Sequence, residues 1–115
     1  MKPLQEYRAF PEEVKQIILR CVHEIKNIDP AATVVLYGSR ARGDAQPDSD
    51  YDLLILTDGD ASVKSEDLFR QQIYGIELET GAMLSVFLFS NKDWQSPLYK
   101  AMPFHENVEK EGVMI

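Results

Sequence analysis

A chain of 115 residues, 44% hydrophobic and 27% charged, has enough apolar material for one compact domain with a real core and no room for a second catalytic domain. Its net charge of -7 argues against a general nucleic-acid binder, which would need a broad basic face, and leaves small ligands or a protein partner. One cysteine and two scattered histidines exclude a disulfide framework or a zinc site, and no signal peptide or membrane-length apolar run is evident, so a reducing cytoplasm is the expected compartment, with no membrane association.

The reading is of a single domain over 1–115, with an N-terminal arm at 1–10. A first helix is expected from Pro11 to Asn27. Val14, Ile17, Ile18, Cys21, Val22 and Ile25 recur at three- and four-residue spacing, Pro11 suits the first turn, and Glu12 and Glu13 favour its positive end. Cys21 reads as core, and His23, off the stripe, as a solvated side chain. Asp29-Pro30 stops the helix, and a strand follows from Thr33 to Tyr37. A Gly-Ser turn leads to a short helix near Arg40 to Ala45, a loop through Pro47, and a second strand from about Asp50 to Thr57.

Asp58-Gly59-Asp60 is a turn, and Ser65-Glu66-Asp67 opens a second helix to about Glu79, with Leu68, Ile73 and Ile76 turned inward and Gly75 weakening it slightly. Leu84 to Phe89 is apolar on both faces except at Ser85, which predicts a covered, central or near-central strand. The tail, 91–115, carries Trp94, Pro97, Tyr99, Pro103 and Phe104 in irregular segments and then a short helix near His105 to Lys110, ended by Gly112. His105, far along the chain from any motif, reads as a surface residue.

The chemistry concentrates between Val34 and Leu56. Gly38-Ser39 ends an apolar strand and opens a short helical stretch, so Gly38 lets the backbone approach a phosphate while Ser39 adds a hydroxyl beside exposed amides. Arg40 and Arg42 add positive charge nearby. A strand puts residues two apart on one face, so Asp50 and Asp52 project together while Tyr51, Leu53 and Ile55 point the other way. Two carboxylates at that spacing suit magnesium, which takes one or two protein carboxylates and completes its shell with phosphate and water oxygens. The joined pattern is built for a metal-bound nucleoside triphosphate.

These residues resemble the DNA polymerase beta-type nucleotidyltransferases, whose signature is a Gly-Ser turn followed by Asp-x-Asp. The Gly-Ser-x-Ala-Arg-Gly form ending in Ser-Asp-x-Asp-Leu is similar to the minimal nucleotidyltransferase (MNT) domains, small prokaryotic proteins often paired with HEPN toxins. The resemblance implies an α+β fold, a small mixed sheet with helices packed on one side. It implies that Gly38 and Ser39 hold the β and γ phosphates, with Arg40 and Arg42 beside them, and that Asp50 and Asp52 are catalytic and bind magnesium as pyrophosphate leaves.

One departure from that family stands out. Its enzymes usually carry a third carboxylate on the strand beside Asp-x-Asp, and the strand from Leu84 to Phe89 contains no acid. Ser85 is the natural occupant of that position, yet a neutral hydroxyl neither holds a second metal well nor acts as a base near neutral pH. Ser85 reads equally as a buried hydroxyl bonded to backbone, and nothing in the spacing recommends Glu77, Glu79 or Asp93 as its replacement. Two readings stay open. One is a working transferase that moves a nucleoside monophosphate, foremost AMP from ATP, onto a hydroxyl of a protein or small molecule. The other is a weak or inactive antitoxin module that neutralises a HEPN-type partner by contact.

Overall fold

In the computed structural model, which describes residues 1–4 and 10–115, the chain runs β1 (Lys2–Pro3), α1 (Glu12–Ile28), β2 (Thr33–Tyr37), α2 (Ser39–Arg42), β3 (Tyr51–Thr57), α3 (Val63–Thr80), β4 (Leu84–Ser90), α4 (Asn91–Trp94), α5 (Pro97–Lys100), α6 (Pro103–Glu111) and β5 (Val113–Met114). Residues 5–9 of the expected arm lie outside the described residues. The five strands form one sheet in the order β1-β5-β2-β3-β4. It is mixed: β3 pairs β4 in parallel and β2 antiparallel, while β5 pairs β2 antiparallel and β1 in parallel. This is the α+β mixed sheet expected, except that helices cover both of its faces and not one side alone.

The two long helices cover one face. From α1 come Ile17, Ile18, Cys21 and Ile25, and from α3 come Phe69, Ile73 and Ile76, all packed on Tyr51, Leu53, Ile55, Val86 and Leu88. Burial pushes the Cys21 thiol up to about 12, so it behaves as a small apolar side chain. His23 is exposed, as its place off the stripe predicts. Leu68 is not inward: it is 49% exposed, because the buried stripe of α3 runs through Phe69, and its neighbour falls off that face. The helix also begins earlier than Ser65, since the Ser62 hydroxyl accepts from Ser65 N–H at 3.2 Å and caps it.

Strand β4 lies at the edge of the sheet, not at its centre. Its apolar character comes from partial cover on both faces, with Val86 and Leu88 buried against the helices and Phe89 half-buried on the other side. Polar side chains of α3 blunt its open edge. Arg70 donates to the Val86 carbonyl at 3.0 Å, Glu66 accepts from Leu88 N–H at 3.0 Å, and the two side chains pair at 2.7 Å.

The tail is more ordered than its prolines and aromatics predict. Ser90 and Ser96 cap α4 and α5, and Pro97 and Pro103 occupy first-turn positions, where a missing N–H costs nothing. These segments fold back over the second face of the sheet, where Trp94 and Val108 are buried with Val35, Tyr37, Leu54 and Leu56. His105 is therefore not a surface residue. It is 7% exposed and stacks on Trp94 with ring centroids 4.2 Å apart, because it shares the inner side of α6 with Val108. Two-residue strands such as β1 and β5 carry no periodicity to read, and they exist through pairing alone.

Candidate active site

Strand β2 ends at Tyr37, which lies opposite Asp52 in the antiparallel register with β3. The next residue, Gly38, turns the chain with φ of 75° and ψ of -158°. A methyl group built on Gly38 would stand 2.2 Å from Asp52 Oδ2, so the Asp52 carboxylate lies directly on the Cα of the turn. Only glycine permits both the backbone conformation and that approach. The helix that follows is shorter than expected, Ser39–Arg42, because Gly43 in the left-handed region at φ 86° ends it.

Asp52 faces away from Tyr51, Leu53 and Ile55, which enter the core beneath α1 and α3. Asp50 is exposed and sits just ahead of the strand, which starts at Tyr51, one residue later than expected. The Asp52 carboxyl is pushed above its ordinary range first by burial and then by the charges of Asp50 and Glu111, with Arg42 opposing them. The same carboxylate, added to burial, pushes up the phenol of Tyr37. Such a site gains from a cation. Among the described residues no group of three or more His, Cys, Asp or Glu is arranged to hold a metal ion. Asp52 at the turn, with the charge of Asp50 acting on it, is a donor set that magnesium would suit if phosphate and water oxygens completed its shell.

Ser85 is the register partner of Asp52 across the parallel β3–β4 pair, and residues so paired project on the same face. It lines a cleft of about 290 Å³ together with Asp50, Arg70, Glu77 and Phe87. Of the three acids weighed as substitutes for a third carboxylate, only Glu77 reaches this cleft. Glu79 pairs with Arg20 at 2.6 Å, and Asp93 lies exposed in the first turn of α4.

The two arginines part company. Arg40 lies over the Tyr51 ring at 4.4 Å and donates to the carbonyls of Pro47 and Ser49 at 3.2 and 2.9 Å, so it fastens the loop before β3 on the side opposite Asp52. It is not brought to the carboxylates. Arg42 is: its charge acts on Asp52, its Nε meets Asp44 at 3.3 Å, and its Nη1 meets Glu111 at 3.3 Å.

Glu111 is the residue the sequence reading missed. From the last position of α6 it accepts from the Gly38 N–H at 3.2 Å. Nothing local distinguishes it from Glu106 and Glu109 of the same helix, and only the return of the tail to the sheet brings it to the turn.

A mixed sheet whose Gly-Ser turn carries the carboxylate of an Asp-x-Asp strand defines a domain built to handle nucleotide phosphates. The chain belongs to the nucleotidyltransferase domain family, whose sequence model matches residues 9–107. No curated protein matches the chain. Among the described residues no helix is long and apolar enough to cross a membrane.

Proposed function

We propose that this domain transfers a nucleoside monophosphate, foremost AMP from ATP, to a hydroxyl of a protein or small-molecule acceptor in the cytoplasm. The observation that carries this reading is the contact between Gly38 and Asp52, which joins the phosphate turn and the acid strand at one point. Gly38 N–H and Ser39 would bind the outer phosphates, Arg42 would balance their charge, and Asp50 and Asp52 would hold the magnesium. When bound, magnesium would neutralise charge at the phosphates and orient the triphosphate. The acceptor oxygen attacks the α phosphorus, the bond to the bridging oxygen breaks, pyrophosphate leaves, and the hydroxyl proton passes to solvent or to a nearby carboxylate. Arg40, engaged with Tyr51 and the loop, would shape the site from outside.

A second reading is favoured by Ser85 alone. A hydroxyl where an acid would hold a second metal suits a weak or inactive module that neutralises a HEPN-type toxin by contact. Calorimetry with magnesium-ATP separates a nucleotide site from a bare scaffold. Asp50→Asn with Asp52→Asn should abolish magnesium-dependent binding without loss of stability, because removing two close anions relieves repulsion. Equal affinity in wild type and double variant would overturn the site. Incubation with labelled ATP, magnesium and candidate acceptors then distinguishes transfer from binding.

A further inference from the structure

The donors assigned above to phosphate are already engaged by a carboxylate from the far end of the chain. Glu111 takes the Gly38 N–H through Oε1 at 3.2 Å and the Arg42 guanidinium through both oxygens at 3.3 Å. Its backbone is fixed. A Cβ on the next residue, Gly112, would lie 2.5 Å from the Val108 carbonyl oxygen and 2.8 Å from Val35 Cγ1, so this junction presses on β2 and cannot slide. The Glu111 side chain, 23% exposed, has the only freedom to move, by changing rotamer.

We propose that Glu111 is an internal competitor for the triphosphate: its carboxylate stands where a phosphate oxygen would meet Gly38 and Arg42, and nucleotide binds by turning it out. The proposal rests on the nucleotidyltransferase reading and adds a residue that sets how tightly, and how selectively for polyanions, that site binds. Geometry separates it from a replacement third carboxylate. Glu111 reaches Asp52 from the β2 and β5 side, whereas the Ser85 position lies across β3 on the β4 side. Both Glu111 oxygens are also taken by N–H donors, which a metal-ligating carboxylate would leave open to the cation. A monoanion held by three partly exposed hydrogen bonds yields to a polyanion that makes the same bonds and brings its own cation. A nucleotide bound beside an unmoved Glu111 would instead add its charge to Asp50, Asp52 and Glu111 at once.

The test compares wild type, Glu111→Gln and the Asp50→Asn/Asp52→Asn variant by calorimetry with magnesium-ATP and with magnesium and inorganic triphosphate. Glu111→Gln should bind both about tenfold more tightly, the worth of one charge-assisted interaction no longer held against the ligand. Weaker binding by Glu111→Gln would overturn the proposal and make Glu111 a support for the turn or a metal ligand. Unchanged affinity, with wild-type binding intact and lost in the double aspartate variant, would overturn the proposal alone. No binding by wild type or Glu111→Gln would overturn both readings. A measurement on the unaltered protein guards against a folding defect: the carboxyl carbon resonance of Glu111 should shift as magnesium-triphosphate is added, in step with the Gly38 amide. A Gly38 amide that titrates while the Glu111 carboxyl stays still would overturn the competition.

Discussion

The two faces of the sheet are built by different means. Beneath α1 and α3 lies a mainly aliphatic layer whose helices announce themselves by three- and four-residue spacing and whose residues, Tyr51 under Arg40 aside, fill space. The opposite face is aromatic. Trp94 from α4 and Phe104 and His105 from α6 close over Tyr37, Leu54 and Leu56, and this face carries Asp52 and Glu111 at its edge. The difference teaches that one face supplies rigidity and the other couples rigidity to the site, because the tail that completes the second core also delivers Glu111 to the turn.

The strongest way to break this comparison is to hollow out each face in turn. Trp94 is fully buried and its indole N–H donates to Glu109 at 2.9 Å, so Trp94→Ala should cost about 3–5 kcal/mol in denaturant unfolding and loosen α6. Ile25→Ala, a full truncation on the other face, should cost about 2–5 kcal/mol. Their effects on the site should differ. Magnesium-ATP affinity, measured where both variants remain folded, should change with Trp94→Ala and stay constant with Ile25→Ala. Equal responses would mean that the faces are mechanically one.

A narrower test falls at the point where β2 meets β3. Gly38→Ala forces a methyl group onto Asp52 Oδ2 at a backbone angle that alanine disfavours, and should cost about 1–3 kcal/mol and displace the acid. The obstruction is the aspartate itself, so the loss of nucleotide binding has its origin inside the protein and not in a clash with phosphate. Combining Gly38→Ala with Asp52→Ala should therefore cost less stability than the sum of the two. Additive stabilities would show that the strain lies in the backbone alone.

The smallest effect sharpens the comparison from the helical side. Gly75 lies exposed in the middle of α3, and a Cβ there meets nothing within 4 Å. Gly75→Ala should raise stability by about 1 kcal/mol through helix propensity, with magnesium-ATP affinity unchanged. A thermal melt suffices to check it, and a loss of stability would mean that this helix is not governed by local preference.

How far the sequence could be read follows the same division. Thr33–Tyr37 and the stripe of α1 were legible because periodicity and burial agree there. Leu68 was misjudged because one residue of phase decides which side of a helix is buried, and α3 has apolar residues on both sides of that boundary. Strand β4 read as central because an apolar run reports that a strand is covered, not what covers it, and here Glu66 and Arg70 guard the edge. His105 read as surface because a histidine in a short polar helix has no local mark of burial, whereas its partner Trp94 comes from another segment.

The sequence by itself determined the class of chemistry: a Gly-Ser turn and an Asp-x-Asp pair are close in the chain, and the turn and strand geometry that unites them is set by local conformation. Whether those residues touch, and what else joins them, is a matter of long-range pairing. Antiparallel register lays Asp52 on the Cα of Gly38, the stacking of Arg40 on Tyr51 takes one arginine out of the site, and the closing of the tail on the second face brings in Glu111. Such contacts arise because burying aromatic surface and satisfying backbone groups fixes distant segments together, and no pattern along the chain encodes which ends will meet.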